Sequence, residues 1–323
     1  MSLTQTIPVL DLQMFQFDDR DRQQFVMQLG HALEDTGFFA VINHGVDPAL
    51  IQTAYQVAQQ FFELPTATKC QYEMPALNGQ RGFTSFGKEH AKDHAAPDLK
   101  EFWHVGRELP PNHPLTADYA ANLQIAEVPQ FYPIIAQLYT QLEACAIKLL
   151  QACALYLGEP EALLAEMVRD GDTILRIIHY PPISPNADPA SLRAAPHEDI
   201  NLITLLCEAT DDGLELLQRD GTWLPIRSLP GQIIVDSGDM LQQLTNGLLQ
   251  STTHRVVNRG EGRDRRFSMP FFVHPRKEVD LTPLSRCVAK TGTQQFPSIT
   301  AGAYLMQRLQ EIGLVANYVT SAK

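Results

Sequence analysis

"AAPHEDINLITLL" (Ala194–Leu206) sets a histidine and an aspartate two residues apart at the head of an apolar run that reads as a β-strand. On a strand, residues i and i+2 point to the same side. An imidazole and a carboxylate, His197 and Asp199, would then face one space at the mouth of core sheet. From this stretch alone three explanations stay open: a metal site, a salt-bridged pair, or a strand end hydrogen-bonded to a loop.

The sequence around it sets the architecture. Downstream of Asp172, short β-rich runs alternate with Gly, Pro and Asp turns. They are "TILRIIHYPP" (Thr173–Pro182), "INLITLLCE" (Ile200–Glu208), "GLELLQ" (Gly213–Gln218), "TWLPI" (Thr222–Ile226), "GQIIVDSG" (Gly231–Gly238), "HRVVN" (His254–Asn258) and "RRFSMPFFV" (Arg265–Val273). So many short strands in so little chain predict a β-sandwich or barrel. Upstream the texture is helical. Phe25, Leu29 and Leu33 recur four apart, and Gly37 closes that helix. "FFAVINHG" (Phe38–Gly45) reads as a buried strand. Asp47-Pro48 opens a second helix, a capping carboxylate followed by proline at the first helical position. Residues 70–112 read as loops with short strands. Further helices are expected over 128–157, 161–169 and 300–313. The expected fold is mainly β with flanking helices, a C-terminal barrel capped by a mostly helical N-terminal half.

The bulk numbers narrow the function. The chain has 323 residues and a net charge of −12, so it repels phosphate backbones, and no nucleic-acid partner is expected. No apolar run is long enough to span a membrane. The N-terminus "MSLTQTIPVLDL" (Met1–Leu12) lacks the pattern of a secretion signal. Cys70, Cys145, Cys153, Cys207 and Cys287 are scattered, with no CxxC pair, as expected of reduced thiols in a cytoplasm.

A third ligand candidate sharpens the metal explanation. His254, in "LLQSTTHRVVN" (Leu248–Asn258), starts another β run. Two histidines and one carboxylate occupy one face of an octahedron and leave three positions open, the arrangement favoured by non-haem Fe(II) oxygenases. A structural zinc site is more often closed by a fourth ligand. Arg266 and Ser268 then share one face of a strand that is apolar on both faces. A buried guanidinium needs an anion, and its planar fork matches a carboxylate. That anion could be Asp236 or Asp239, or the carboxylate of a small ligand.

His197-x-Asp199, His254 and Arg266-x-Ser268 together resemble the signature of the iron- and 2-oxoglutarate-dependent dioxygenases. More narrowly, the chain is similar to their isopenicillin N synthase-like branch. The likeness extends over "IPVLDL" (Ile7–Leu12), "ALEDTGFFAVINHGV" (Ala32–Val46), "KEFWHVG" (Lys100–Gly106), "RIIHYPP" (Arg176–Pro182), "GQIIVDSGDMLQQLTNG" (Gly231–Gly247) and "TAGAYLMQRL" (Thr300–Leu309). The branch often carries Asn-Tyr-Tyr where Ile178, His179 and Tyr180 stand here. Tyr180 keeps a position able to hydrogen-bond the co-substrate, Ile178 cannot, and His179 is expected to be structural.

The resemblance implies a double-stranded β-helix (jelly-roll) core with a helical N-terminal region. It implies Fe(II) on His197, Asp199 and His254, and 2-oxoglutarate with its far carboxylate on Arg266 and Ser268, assisted by Tyr180. O2 and a small organic substrate would complete the reaction, hydroxylation by default, with succinate and CO2 as co-products. An oxidase that uses iron and O2 without 2-oxoglutarate, and a non-catalytic binding protein, are the alternatives. Asn201, Phe272, Arg81, Phe83, Phe86 and Lys88 are the candidates to touch substrate. The expected divisions are an N-terminal dioxygenase region (5–115), a helical connection (116–170), the jelly-roll domain (171–278) and a C-terminal helical extension (279–323).

Overall fold

The computed structural model describes residues 7–77, 79–88, 98–183, 191–227, 229–258 and 264–311. Thirteen strands are described: β1 (Val9–Asp11), β2 (Phe38–Ile42), β3 (Gly82–Thr84), β4 (Glu101–Gly106), β5 (Ile174–Tyr180), β6 (Ala194–His197), β7 (Ile203–Cys207), β8 (Leu214–Leu217), β9 (Trp223–Pro225), β10 (Ile233–Ser237), β11 (His254–Val256), β12 (Arg266–Ser268) and β13 (Pro270–Val273). The helices are α1 (Asp19–Asp35), α2 (Pro48–Phe62), α3 (Thr66–Lys69), α4 (Phe131–Tyr156), α5 (Ala162–Val168), α6 (Asp239–Leu244), α7 (Ser285–Thr291) and α8 (Ala301–Glu311).

The strands form two sheets. The larger runs β1-β2-β10-β7-β13-β5-β4-β3, with β12 also paired to β5, and the smaller runs β6-β11-β8-β9. Their inner faces pack together through Phe38, Ala40 and Ile234 of the large sheet and Ala194, Leu214, Leu216 and Val256 of the small one. This is the jelly-roll. The N-terminal half is more than a helical cap, because β1 to β4 extend the large sheet at both ends. The reading of "FFAVINHG" explains why: β2 is buried on both faces, which is the condition of an interior strand.

Helices cover the outer face of the large sheet. Asp47 caps α2 by accepting from the Ala49 amide at 2.9 Å, with Pro48 at the first position. The predicted apolar stripe of α2, Leu50, Ile51, Ala54, Val57, Ala58, Phe61 and Phe62, is buried throughout. Phe61 packs on Trp103 and Phe131, with centroids 4.9 and 5.7 Å away. Gly37 ends α1 at φ +71°, where a Cβ would stand 2.5 Å from the Gln250 carbonyl. That close approach ties the end of α1 to the segment leading into β11.

"RRFSMPFFV" is not one strand. It breaks at Met269 into β12, which among the described strands pairs with β5 alone, and β13, which pairs with β5 and β7. Arg266 lies opposite Tyr180 and Ser268 opposite Ile178. Cross-strand partners share a face, so this register turns Arg266 and Ser268 inward beside Tyr180.

Candidate active site

His197 ends β6 and His254 begins β11, and the two are direct register partners. Their rings lie 4.4 Å apart. Each engages its Nδ1 with a backbone carbonyl, His197 with Ala195 at 2.8 Å and His254 with Thr252 at 3.2 Å. An N–H at Nδ1 leaves Nε2 with a free lone pair. Both Nε2 atoms face Asp199 Oδ1, at 3.9 and 3.8 Å. Burial, reinforced by the neighbouring His254, pushes the His197 imidazole down to about 4, so it is neutral at physiological pH. Two imidazoles and a carboxylate, with ligand atoms within 4.8 Å of one another, form a donor set that fits Fe(II).

Asp199 reaches this position by a different route from the expected strand alternation. β6 stops at His197 and β7 starts at Ile203, so Asp199 sits in the bend between them. The bend is clamped from below. The Asp239 amide donates to the Asp199 carbonyl at 2.7 Å, and the Met240 amide to the Asn201 carbonyl at 3.0 Å. Gly238 allows this approach, because a Cβ there would stand 2.4 Å from the Asn201 carbonyl. The carboxylate is oriented in turn. The Thr204 hydroxyl donates to Asp199 Oδ2, and Asn201 Nδ2 donates to Thr204 Oγ1 at 2.8 Å. Burial pushes the Asp236 carboxyl well above the usual carboxylate range, and the charge of Asp199 adds to this.

Arg266 is 1% exposed. Its Nε donates to the Asp211 carbonyl at 3.1 Å, and its guanidinium lies 4.9 Å from the Tyr180 ring. Its Nη1 is buried without a partner. Neither aspartate that could have neutralised it forms an ion pair with it: Asp236 lies in the same cavity wall with its Oδ1 unpartnered, and Asp239 pairs with Arg308 at 3.3 Å. A buried guanidinium nitrogen left open is costly unless an anion fills the place. The far carboxylate of a dicarboxylic keto acid has the chemistry to do so.

One cavity joins these groups. Its wall includes His197, Asp199, His254, Tyr180, Arg266 and Ser268. Of the candidates for substrate contact, Phe272 also lines it. The others do not. Asn201 is fully buried behind Asp199, bonded to Thr204. Phe83 packs in the core beside Phe61 and Phe62. Arg81 lies against Gly106 and donates to the carbonyls of Gln80 and Ala120. Lys88 pairs with Glu73 at 2.8 Å, and Phe86 is 48% exposed. Lys100 and Arg176 line the cavity instead, and sequence reasoning passed over both. Arg176 was findable: it precedes Tyr180 by four residues on the same strand, hence on the same face. It is held between Phe102 and Phe272, 4.2 and 5.3 Å from their centroids.

Comparison with known proteins agrees with this chemistry. Residues 7–130 match the family described as non-haem dioxygenase in morphine synthesis N-terminal, and residues 171–275 match the 2OG-Fe(II) oxygenase superfamily. A 2-oxoglutarate-Fe(II) type oxidoreductase of Aspergillus fumigatus is 30% identical over 295 residues, covering 88% of this chain and 87% of its own. A Caulobacter crescentus crystal structure assigned to the 2OG-Fe(II) oxygenase family is 41% identical with a TM-score of 0.84, covering 95% of this chain and 99% of its own. A full-length Neurospora crassa protein, solved in complex with alpha-KG and thymine, is 26% identical with a TM-score of 0.82, covering 96% and 98%. The chain belongs to the 2OG-Fe(II) oxygenase superfamily and is an Fe(II)- and 2-oxoglutarate-dependent dioxygenase.

Proposed function

We propose that His197, Asp199 and His254 hold the iron, that Arg266, Ser268 and Tyr180 hold 2-oxoglutarate, and that the enzyme hydroxylates a small organic molecule bound against Phe272. The observation that carries this reading is the unpaired Arg266 Nη1 in the wall of the cavity that also contains the three metal-ligand candidates.

When bound, Fe(II), 2-oxoglutarate and O2 supply the oxidation of a substrate C–H bond, with succinate and CO2 as co-products. The protein's own part is positioning and exclusion of water. Ala195 and Thr252 fix the tautomers of His197 and His254, while Thr204 holds the Asp199 carboxylate in one orientation. Arg266 offers a fork to the far carboxylate, and Ser268 adds a hydroxyl beside it. Phe38, Ile178 and Leu206 close the cavity with apolar surface. The site residues fall within the division read as the jelly-roll domain, 171–278. The N-terminal region, 5–115, supplies Lys100 to the wall, and the helical connection, 116–170, supplies α4, which packs on β13 through Tyr139 and Phe271. The C-terminal extension, 279–323, brings Arg308 to Asp239.

The net charge of −12 supports a small-molecule rather than a nucleic-acid partner. All five cysteines are free and four of them are buried, which supports a reducing, cytoplasmic setting. No described helix is long and apolar enough to cross a membrane.

The test starts without O2. Protein with Fe(II) and 2-oxoglutarate should develop a visible charge-transfer band, and admitting O2 should release succinate slowly. Compounds that accelerate this release then identify the substrate, and nucleobases belong in the panel because thymine occupies the Neurospora relative. Iron-loaded protein that gives neither band nor succinate would overturn the assignment of the cavity.

A further inference from the structure

A second buried guanidinium stands behind the first. Arg193, immediately before β6, is 1% exposed. Its Nη2 donates at 2.6 Å to the carbonyl of Asp264, two residues ahead of Arg266. Its Nη1 stands 3.5 Å from Asp211 Oδ2. Asp211 is the residue whose carbonyl accepts from Arg266 Nε. The two guanidiniums also share an aromatic neighbour, with Arg193 at 6.0 Å and Arg266 at 4.9 Å from the Tyr180 ring centroid. Arg193 Nε is buried with no partner.

This arrangement is expensive unless an anion joins it. Two like charges are packed into one buried wall, and Asp211, the one carboxylate paired with Arg193 among the described residues, is 41% exposed. Burial and the Arg266 charge both lower the affinity of Arg193 for its proton, a sign of local positive excess. The two polar contacts described for Arg193 also fix what Arg266 depends on: the chain entering β12, and the loop that accepts the Arg266 Nε.

We infer that Arg193 is a positioning residue for the co-substrate end of the cavity. It holds the Arg266 fork through Asp211 and the Asp264 carbonyl. Its charge makes that end select a dianionic keto acid over a monoanionic one. The inference rests on the reading of Arg266 as the clamp of the far carboxylate. It adds a residue that the Arg-x-Ser pattern does not contain.

The experiment is anaerobic calorimetry on Fe(II)-loaded protein with two ligands. One is 2-oxoglutarate. The other is 2-oxopentanoate, of the same chain length without the far carboxylate. Arg193→Gln should weaken 2-oxoglutarate about tenfold or more and change 2-oxopentanoate by no more than about twofold. Arg193→Lys should recover part of the loss, since charge returns without the fork. Equal weakening of both ligands would reduce Arg193 to structural support and overturn the inference. Unchanged 2-oxoglutarate binding in Arg193→Gln, with binding lost in Arg266→Gln, would overturn it while leaving the clamp standing. Wild-type binding in Arg266→Gln would remove the clamp itself. Should Arg193→Gln fail to fold by thermal melting, Arg193→Lys decides: a selectivity ratio between wild type and Arg266→Gln supports the inference, and a wild-type ratio overturns it.

Discussion

The two faces of β5 carry two buried polar clusters built on opposite logic. On the outer face, beneath α2, the Lys69 ammonium donates to both oxygens of Glu101, at 2.7 and 2.8 Å, and to the Phe62 carbonyl at 3.2 Å. His179 completes the cluster with its Nδ1 2.8 Å from Glu101 and its ring stacked on Phe267. Charge is matched there, and the one group left over is His179 Nε2. On the inner face, one residue along each strand, Tyr180 and Arg266 replace His179 and Phe267. There the guanidinium keeps an open nitrogen. A buried cation closed by protein groups contributes to the fold, while one left open is available to an anion. Burial alone does not separate the two cases; the completeness of the partner list does.

The largest effect should come from the inner face. His254→Ala or His197→Ala should abolish stoichiometric Fe(II) binding, measured by metal analysis, while the thermal transition persists, because two remaining ligands hold iron poorly. Full iron occupancy in either variant would dissolve the contrast, since the site would then lie elsewhere.

The outer face should behave in the opposite way. Glu101→Gln strands the Lys69 charge in the interior and should cost about 3–5 kcal/mol of stability by denaturant titration, with 2-oxoglutarate affinity unchanged. Its pH dependence follows the same logic. Burial by itself would raise the Glu101 pKa, but hydrogen bonds from His179 and Lys69 outweigh it and hold the carboxyl below its usual 4.5. A depressed carboxylate stabilises the fold above that value and loses its contribution as pH falls below it. Wild type should therefore lose stability more steeply than Glu101→Gln in that acid range, and parallel curves would count against a charged cluster.

Arg266→Ala should reverse the pattern of Glu101→Gln. It should cost about 2–3 kcal/mol of 2-oxoglutarate affinity by calorimetry. Stability should hold or rise, because the variant removes an unmatched charge rather than creating one. A loss of stability comparable to that of Glu101→Gln would show that Arg266 also belongs to the fold. Thr204→Val is the finest test. It removes the hydroxyl between Asn201 and Asp199 and should weaken iron binding roughly tenfold, with little change in melting temperature.

The metal-ligand candidates and the candidate clamp could be picked out because their chemistry is written in short spacings. His197-x-Asp199 and Arg266-x-Ser268 each need only a local pattern, and His254 announces itself at the start of a β run. Phe272 was reachable by alternation from Arg266, although β12 and β13 are separate strands. Asn201 was misplaced because the same alternation was applied across a bend. Arg81 and Phe83 were chosen as residues near a barrel mouth, yet one is tied to neighbouring carbonyls and the other fills the aromatic core around Phe61.

The sequence by itself determined the β-rich, sandwich-or-barrel class of the C-terminal half, the helix caps at Asp47 and Gly37, and the residue types with the chemistry to hold iron and a dicarboxylate, while the jelly-roll was what the family resemblance implied. These depend on periodicity and on chemistry within a few residues of each other. Only the tertiary structure decided that the Asp199 bend rests on the turn at Gly238, that Thr204 orients the carboxylate, that Arg176 and Lys100 line the cavity, and that Arg193 stands behind Arg266. Each of those is a contact between segments far apart in the chain, fixed by strand register and by the path of loops. A buried polar group makes itself evident only when its partners are counted in space.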